Sequence, residues 1–183
     1  MNIICSTGLY TEARGASFHF NFISALDDGL KAICELFEKE ITQGIENTGI
    51  KAGVIKVATG LGAITPYEGM VFTAAAKVQK STGVPIITHT ESGTMGPEQA
   101  DLLISEGADP NHIMIGHSGG SADLRYHTSI LDKGTYLSFD RYGFNSSFYG
   151  AGPDSIRMAC IIGLINMCYI SKLILSHDSV IQW

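Results

Sequence analysis

The sequence predicts an α/β chain built on a parallel sheet. Two observations carry that expectation: short β-branched runs that each lead into a glycine-containing loop, and a stretch of helical period after nearly every loop. A third, the composition, sets the frame. With 183 residues, 45% hydrophobic and 16% charged, the chain can bury a sizeable core and is too apolar to be disordered. One domain over residues 1–183 is expected.

The strands are expected at Asn2–Cys5, Gly53–Ala58, Val84–His89, His112–Gly116, Thr135–Phe139 and Lys172–Ser176. Between the first two, Leu30, Ile33, Cys34, Phe37, Ile41 and Ile45 follow the i, i+3, i+4, i+7 rule of a core-facing helix. Thr65-Pro66-Tyr67-Glu68 reads as a capping box opening a helix that runs to Lys80. Pro97-Glu98 opens the next, ending at Gly107, and 122–133 and 154–170 supply two more. Residues 10–28, with Phe18, Phe20 and Phe22 in alternation, read as a loop over a pocket or a short extra element. Such alternation leaves two architectures, an open doubly wound sheet or a (β/α)8 barrel. Both carry their active sites at the C-terminal ends of the strands.

Charge and cysteine content exclude several classes. The net charge of −6, from 18 acidic and 12 basic side chains with no basic run, offers no footprint for nucleic acid or anionic lipid. Cys5, Cys34, Cys160 and Cys168 form no Cys-x-x-Cys pair, so reduced thiols in the cytoplasm are expected. The N-terminus has no basic region ahead of an apolar core, which argues against a signal peptide. The most apolar stretch, from Met158 to Ile170, is too short for a bilayer, which needs about 20 residues.

Polar residues at strand ends carry the chemistry. Lys56 lies in the apolar run Gly53–Ala58, on the face of Val54 and Ala58. A buried ammonium is costly, so Lys56 is expected to be paired with a carboxylate, or to serve as a Schiff-base amine or a carbamate formed with CO2. His89 and His117 close successive strands and Asp178 closes the last one. Imidazoles and a carboxylate are a ligand set for zinc or a similar divalent ion. His177 points the other way and reads as a packed supporting group.

Gly116-His117-Ser118-Gly119-Gly120 also matches a nucleophile elbow, with Ser118, Asp140 and His177 in triad order. That pattern is common in a chain with 21 glycines and leaves Lys56 and His89 unexplained. Gly60-Leu61-Gly62 lacks the rest of a dinucleotide fingerprint.

Taken together, Ile4-Cys5-Ser6-Thr7-Gly8-Leu9-Tyr10, Ala52-Gly53-Val54-Ile55-Lys56, Pro85-Ile86-Ile87-Thr88-His89-Thr90, Ile115-Gly116-His117, Asp140-Arg141-Tyr142-Gly143 and Leu175-Ser176-His177-Asp178 resemble the phosphotriesterase family of the amidohydrolase superfamily. The resemblance implies a (β/α)8 TIM barrel with two divalent ions per subunit, usually zinc. It makes Lys56 a carboxylated lysine (N6-carboxylysine) bridging them, His89 and His117 ligands of one ion, and Asp178 a ligand of the other and the catalytic proton acceptor. Arg141 is placed beside the substrate. The implied reaction is attack of a metal-bound hydroxide on an ester, lactone or phosphotriester.

The family begins with a His-x-His strand, and this sequence holds no His-x-His. The chain is therefore expected to be truncated at both ends, an incomplete barrel of about strands 3 to 8. One zinc site, on Lys56, His89 and His117, is expected to be well held, and the other, on Lys56 and Asp178, weak. Open edges and an apolar flank of Ile161, Ile162, Leu164 and Ile165 predict association, as in a homo-oligomer. Two alternatives remain: a non-catalytic remnant that binds metal or a partner chain, and a serine esterase using Ser118.

Overall fold

The computed structural model describes residues 2–14, 22–23, 28–143 and 152–178. Within them lie strands β1 (Ser6–Leu9), β2 (Val54–Thr59), β3 (Ile86–Thr90), β4 (Ile113–Ile115), β5 (Tyr136–Phe139) and β6 (Leu173–Leu175). Helices α1 (Gly29–Thr42), α2 (Pro66–Thr82), α3 (Gly96–Ser105), α4 (Leu124–Leu131) and α5 (Asp154–Asn166) alternate with them.

All five pairings are parallel and the strands lie in sequence order, β1-β2-β3-β4-β5-β6. This decides between the two architectures left open by the alternation. A doubly wound sheet reverses its strand order at a switch point, whereas a barrel adds each strand beside the one before it. Among the described residues the sheet is an arc of six consecutive strands joined by five helices, an incomplete (β/α)8 barrel. Among the described residues β1 pairs only with β2 and β6 only with β5.

The core lies between the sheet and the helices. Ile55 and Val57 of β2, Ile86 of β3, Ile113 and Ile115 of β4, and Leu137 and Phe139 of β5 all project to that side, where α1 and α3 contribute Ile33, Phe37 and Leu103. Each such side chain contributes about 1.5–3 kcal/mol by leaving water. By the alternation of a strand, Lys56, Ile87, Met114, Tyr136 and Ile174 take the other face. The register confirms this, pairing Lys56 with Ile87 and Met114 with Tyr136.

Several expected boundaries move. The first strand is Ser6–Leu9 rather than Asn2–Cys5; Ile3 and Ile4 are exposed, and the pairing that defines β1 starts at Ser6. Gly8, at φ +140°, faces Lys56, and a Cβ there would sit 1.8 Å from the Lys56 carbonyl oxygen. Only glycine lets the two strands approach so closely. The last helix stops at Asn166, and residues 170–172 form a short 3-10 turn. Of the expected loop over residues 10–28, most lies outside the described residues.

The expected apolar flank divides in two. Ile161 and Leu164 are buried against the sheet, while Ile162 and Ile165 are exposed together with Met158 on the opposite side of α5. An apolar hollow of about 530 Å3, lined by Tyr142, Met158, Ile161, Leu175, Ser176 and His177, lies between α5 and the end of β6.

Candidate metal centre

The C-terminal ends of the strands bring the expected polar residues to one side of the sheet. His89 is the fourth residue of β3 and stands in register with Ala58, one layer above Lys56. His117 follows β4. Strict alternation from Ile113 and Ile115 would send it to the helix side, but its φ of +56° puts it in the left-handed region and turns the chain. The result is that the His89 and His117 rings meet edge to face, with centroids 4.6 Å apart.

A non-glycine residue in that region costs about 1–3 kcal/mol, which surrounding contacts must offset. Asp140, directly after β5, provides them. Its carboxylate accepts the His117 main-chain N–H at 3.0 and 3.1 Å and the ring Nδ1–H at 2.8 Å. Burial alone would raise the Asp140 carboxyl pKa, yet the His117 bonds and charge bring it below the ordinary range. With Nδ1 committed, the His117 lone pair is on Nε2.

His89 is held on three sides. Gln99 of α3, itself fully buried, donates Nε2–H to the His89 carbonyl at 2.8 Å and to Thr59 Oγ1 at 2.6 Å. Glu91 Oε2 lies 3.2 Å from the ring Nε2, and the Tyr10 hydroxyl lies 3.1 Å from Nδ1. Burial, and then the charge of His117, lower the His89 pKa to about 4. The ring is therefore neutral at physiological pH and keeps a lone pair for a metal.

Lys56 has a main-chain partner rather than the carboxylate expected of a buried amine: Nζ donates to Thr88 O at 2.9 Å. Burial lowers its pKa against the opposing pull of Asp140 and Asp178. A larger neutral fraction is what reaction with CO2 requires. Asp178 Oδ2 lies 4.0 Å from His117 Nδ1 and 3.2 Å from Arg141 Nε, so the two residues expected at catalysis and at the substrate form an ion pair. Among the described residues, no group of three His, Cys, Asp or Glu side chains could hold a metal ion by itself. Two buried imidazoles, His89 neutral and His117 held at Nδ1 by Asp140, beside a lysine of lowered basicity, are a donor set that fits a divalent ion once the lysine is carboxylated.

The serine-esterase reading is contradicted. Ser118 is fully buried and its hydroxyl donates to Ile115 O at 3.0 Å. The histidine that reaches Ser118 is His127, which binds its carbonyl oxygen at 3.0 Å, and Asp140 is committed to His117. His177 is exposed rather than packed, with Nδ1 2.9 Å from Tyr142 O.

Glu91 and Gln99 carried no pattern by which the sequence could mark them, and Tyr10 stood only as the last residue of the first family-like segment. Glu68 was legible only as a helix cap. Its carboxylate closes the capping box on the Thr65 N–H at 3.0 Å, and also accepts Gly60 N–H at 3.1 Å and Glu12 N–H at 3.3 Å. One buried side chain thus ties together the loops that follow β1 and β2.

Comparison with known proteins agrees with this fold. The model of the phosphotriesterase family matches residues 1–182. The chain is 35% identical over 182 residues to a phosphotriesterase homology protein of Mycobacterium tuberculosis, covering 98% of this chain and 54% of that protein. It is 36% identical over 186 residues to an aryldialkylphosphatase of Saccharolobus solfataricus, covering 100% of this chain and 56% of the other. Among solved structures, a mutant of a PTE-like lactonase from Deinococcus radiodurans superposes with a TM-score of 0.94 at 48% identity, over 97% of this chain and 55% of that one. The chain spans about half the length of the curated relatives it matches.

Proposed function

Because the chain belongs to the phosphotriesterase family, we propose that it serves a metal-dependent hydrolase acting on a small ester, lactone or phosphotriester. The observation that carries this reading is the His89–His117 pair, two buried rings in edge contact, each backed by a carboxylate, beside a lysine of lowered basicity. The names of the relatives, an aryldialkylphosphatase and a lactonase, support the substrate class.

In this reading His89, His117 and carboxylated Lys56 hold one divalent ion, zinc in the first instance, and Lys56 with Asp178 offers a weaker second position. The ion, when bound, supplies Lewis-acid polarisation of the substrate oxygen and lowers the pKa of a water. The carbamate on Lys56 replaces a cation that would repel the ion with an anion that attracts it. Asp178 would take the proton released during attack, and its ion pair with Arg141 holds it at the strand ends. Arg141, paired with Asp178, is the cation placed to meet the substrate's polar oxygens. Glu68 and Asp140 position the loops and rings on which these groups stand.

The four cysteines form no disulfide, which supports a reducing compartment, and we assign the protein to the cytoplasm. Among the described residues no helix is long and apolar enough to cross a membrane.

The test is metal analysis of the purified chain, with hydrolysis of an aryl dialkyl phosphate and of a γ-lactone before and after chelation. Zinc-dependent turnover, lost in Lys56→Ala and partly restored to that variant by a small carboxylic acid, is expected. Stoichiometric zinc without turnover would leave a metal-binding chain that is not a catalyst, and unchanged zinc content in Lys56→Ala would refute the lysine's role.

A further inference from the structure

We infer that Glu91 is a positioning residue that selects the tautomer of His89, and so selects Nδ1 as the atom that His89 offers to a metal. The inference rests on the metal-centre reading above. It concerns a residue that neither the sequence pattern nor the family motifs single out.

Three contacts converge on the His89 ring. Glu91 Oε2 is 3.2 Å from Nε2, and the Tyr10 oxygen is 3.1 Å from Nδ1 and 3.3 Å from Nε2. A carboxylate only accepts hydrogen bonds, whereas a phenol can donate or accept. If Nδ1 carried the proton, the Nε2 lone pair would face the Glu91 oxygen in a site where His89 is nearly fully buried, an acceptor against an acceptor. If Nε2 carries it, Nε2–H donates to Glu91 and Tyr10 O–H donates to Nδ1, and every group is satisfied. The carboxylate therefore decides the tautomer and the phenol adapts to it. On binding, an ion at Nδ1 displaces only the tyrosine's hydrogen bond, and the carboxylate behind the ring raises the basicity of the ligating nitrogen.

Glu91 is itself held in place. Arg14, on the loop after β1, lies 3.3 Å from the same Oε2. Glu91 opens the short turn Glu91–Gly93, which lies main chain to main chain against Ser118–Gly120: a Cβ on Gly93 would come within 2.4 Å of Ser121 N, and one on Gly120 within 2.6 Å of Gly93 N. This glycine-to-glycine contact sets the loop carrying Glu91 against the loop that follows His117. The two rings consequently receive opposite tautomers from their two carboxylates, Nε2–H in His89 from Glu91 and Nδ1–H in His117 from Asp140.

The experiment reads the ring directly. In the metal-free chain, with imidazole nitrogens labelled with 15N, His89 is expected to show a protonated Nε2 and an unprotonated Nδ1. The reverse tautomer in the unmodified protein would overturn the proposal without any variant. In Glu91→Leu the tautomer should redistribute and zinc affinity, measured by competition with a chelator, should fall by about 10–100-fold. Glu91→Gln, whose amide oxygen can still accept from Nε2–H, should keep the tautomer and lose less affinity, which a purely structural role would not produce. Unchanged tautomer and affinity in a folded Glu91→Leu would also overturn it. Should Glu91→Leu fail to fold, the unmodified chain and Glu91→Gln still decide the matter. If the unmodified chain binds no zinc, the metal-centre reading fails while the tautomer measurement still judges Glu91.

Discussion

Replacing Glu68 by alanine should destabilise the chain far more than the loss of an ordinary helix cap. A cap alone is worth about 0.5–2 kcal/mol. Glu68, however, is 1% exposed and accepts three main-chain N–H groups, from Thr65, Gly60 and Glu12. Hydrogen bonds to a charged acceptor contribute about 1.5–3 kcal/mol each, and a buried donor left without one costs about 1–3 kcal/mol. Part of that gain is offset in the native protein by the cost of burying the carboxylate, a cost the alanine variant escapes. A net loss of about 3–5 kcal/mol is therefore expected, against a total stability on the order of 5–15 kcal/mol. Glu68→Gln keeps the shape and one acceptor oxygen, so its loss should be smaller, about 1–3 kcal/mol. Urea unfolding followed by circular dichroism measures both variants. A loss below about 1 kcal/mol in Glu68→Ala would show that the carboxylate acts as a helix cap alone, and the argument that it joins the two loops would fail.

Gly8→Ala should prevent β1 from pairing with β2, because the new methyl would meet the Lys56 carbonyl and the backbone is at φ +140°; a loss above about 3 kcal/mol is expected, and an unchanged unfolding midpoint would refute it. Ser118→Ala should leave any hydrolytic activity intact and cost about 1 kcal/mol of stability, since the hydroxyl serves only Ile115 O; abolished turnover in a folded variant would reinstate the esterase. His127 is fully buried with its pKa lowered by burial. Its folded pKa lies below the unfolded value of about 6.5, so its contribution is present above that pH and is lost as pH falls toward the folded pKa. His127→Leu should accordingly show a shallower loss of stability on acidification, and parallel curves for the two proteins would refute the assignment.

How much was legible in the sequence differs from element to element. Lys56 was conspicuous because a charge in a β-branched run contradicts its surroundings, and Thr65-Pro66-Tyr67-Glu68 was legible because a capping box is local, four residues closing on themselves. His89 was legible as the polar end of an apolar strand. The first strand was displaced from its expected place because Asn2–Cys5 and Ser6–Leu9 are both plausible by local propensity. What separates them is pairing with β2, a contact between residues about 48 apart that no local pattern encodes. Glu91 and Gln99 were illegible for a similar reason: a glutamate in a loop and a glutamine on a helix are ordinary until the fold brings them against His89.

By itself, the sequence determined the βα alternation, the phosphotriesterase-family pattern and the residue types at the strand ends, because each follows from local periodicity or from the chemistry of a side chain. Only the tertiary structure decided that the strands run in sequential order and form an arc of a barrel, since strand order is a matter of which neighbour a strand pairs with. It also decided where His117 points. Alternation from Ile115 assigns that ring to the helix side, and the left-handed turn held by Asp140, 23 residues away, brings it against His89. A strained backbone angle survives only when distant groups compensate it, and a sequence read one window at a time does not contain them.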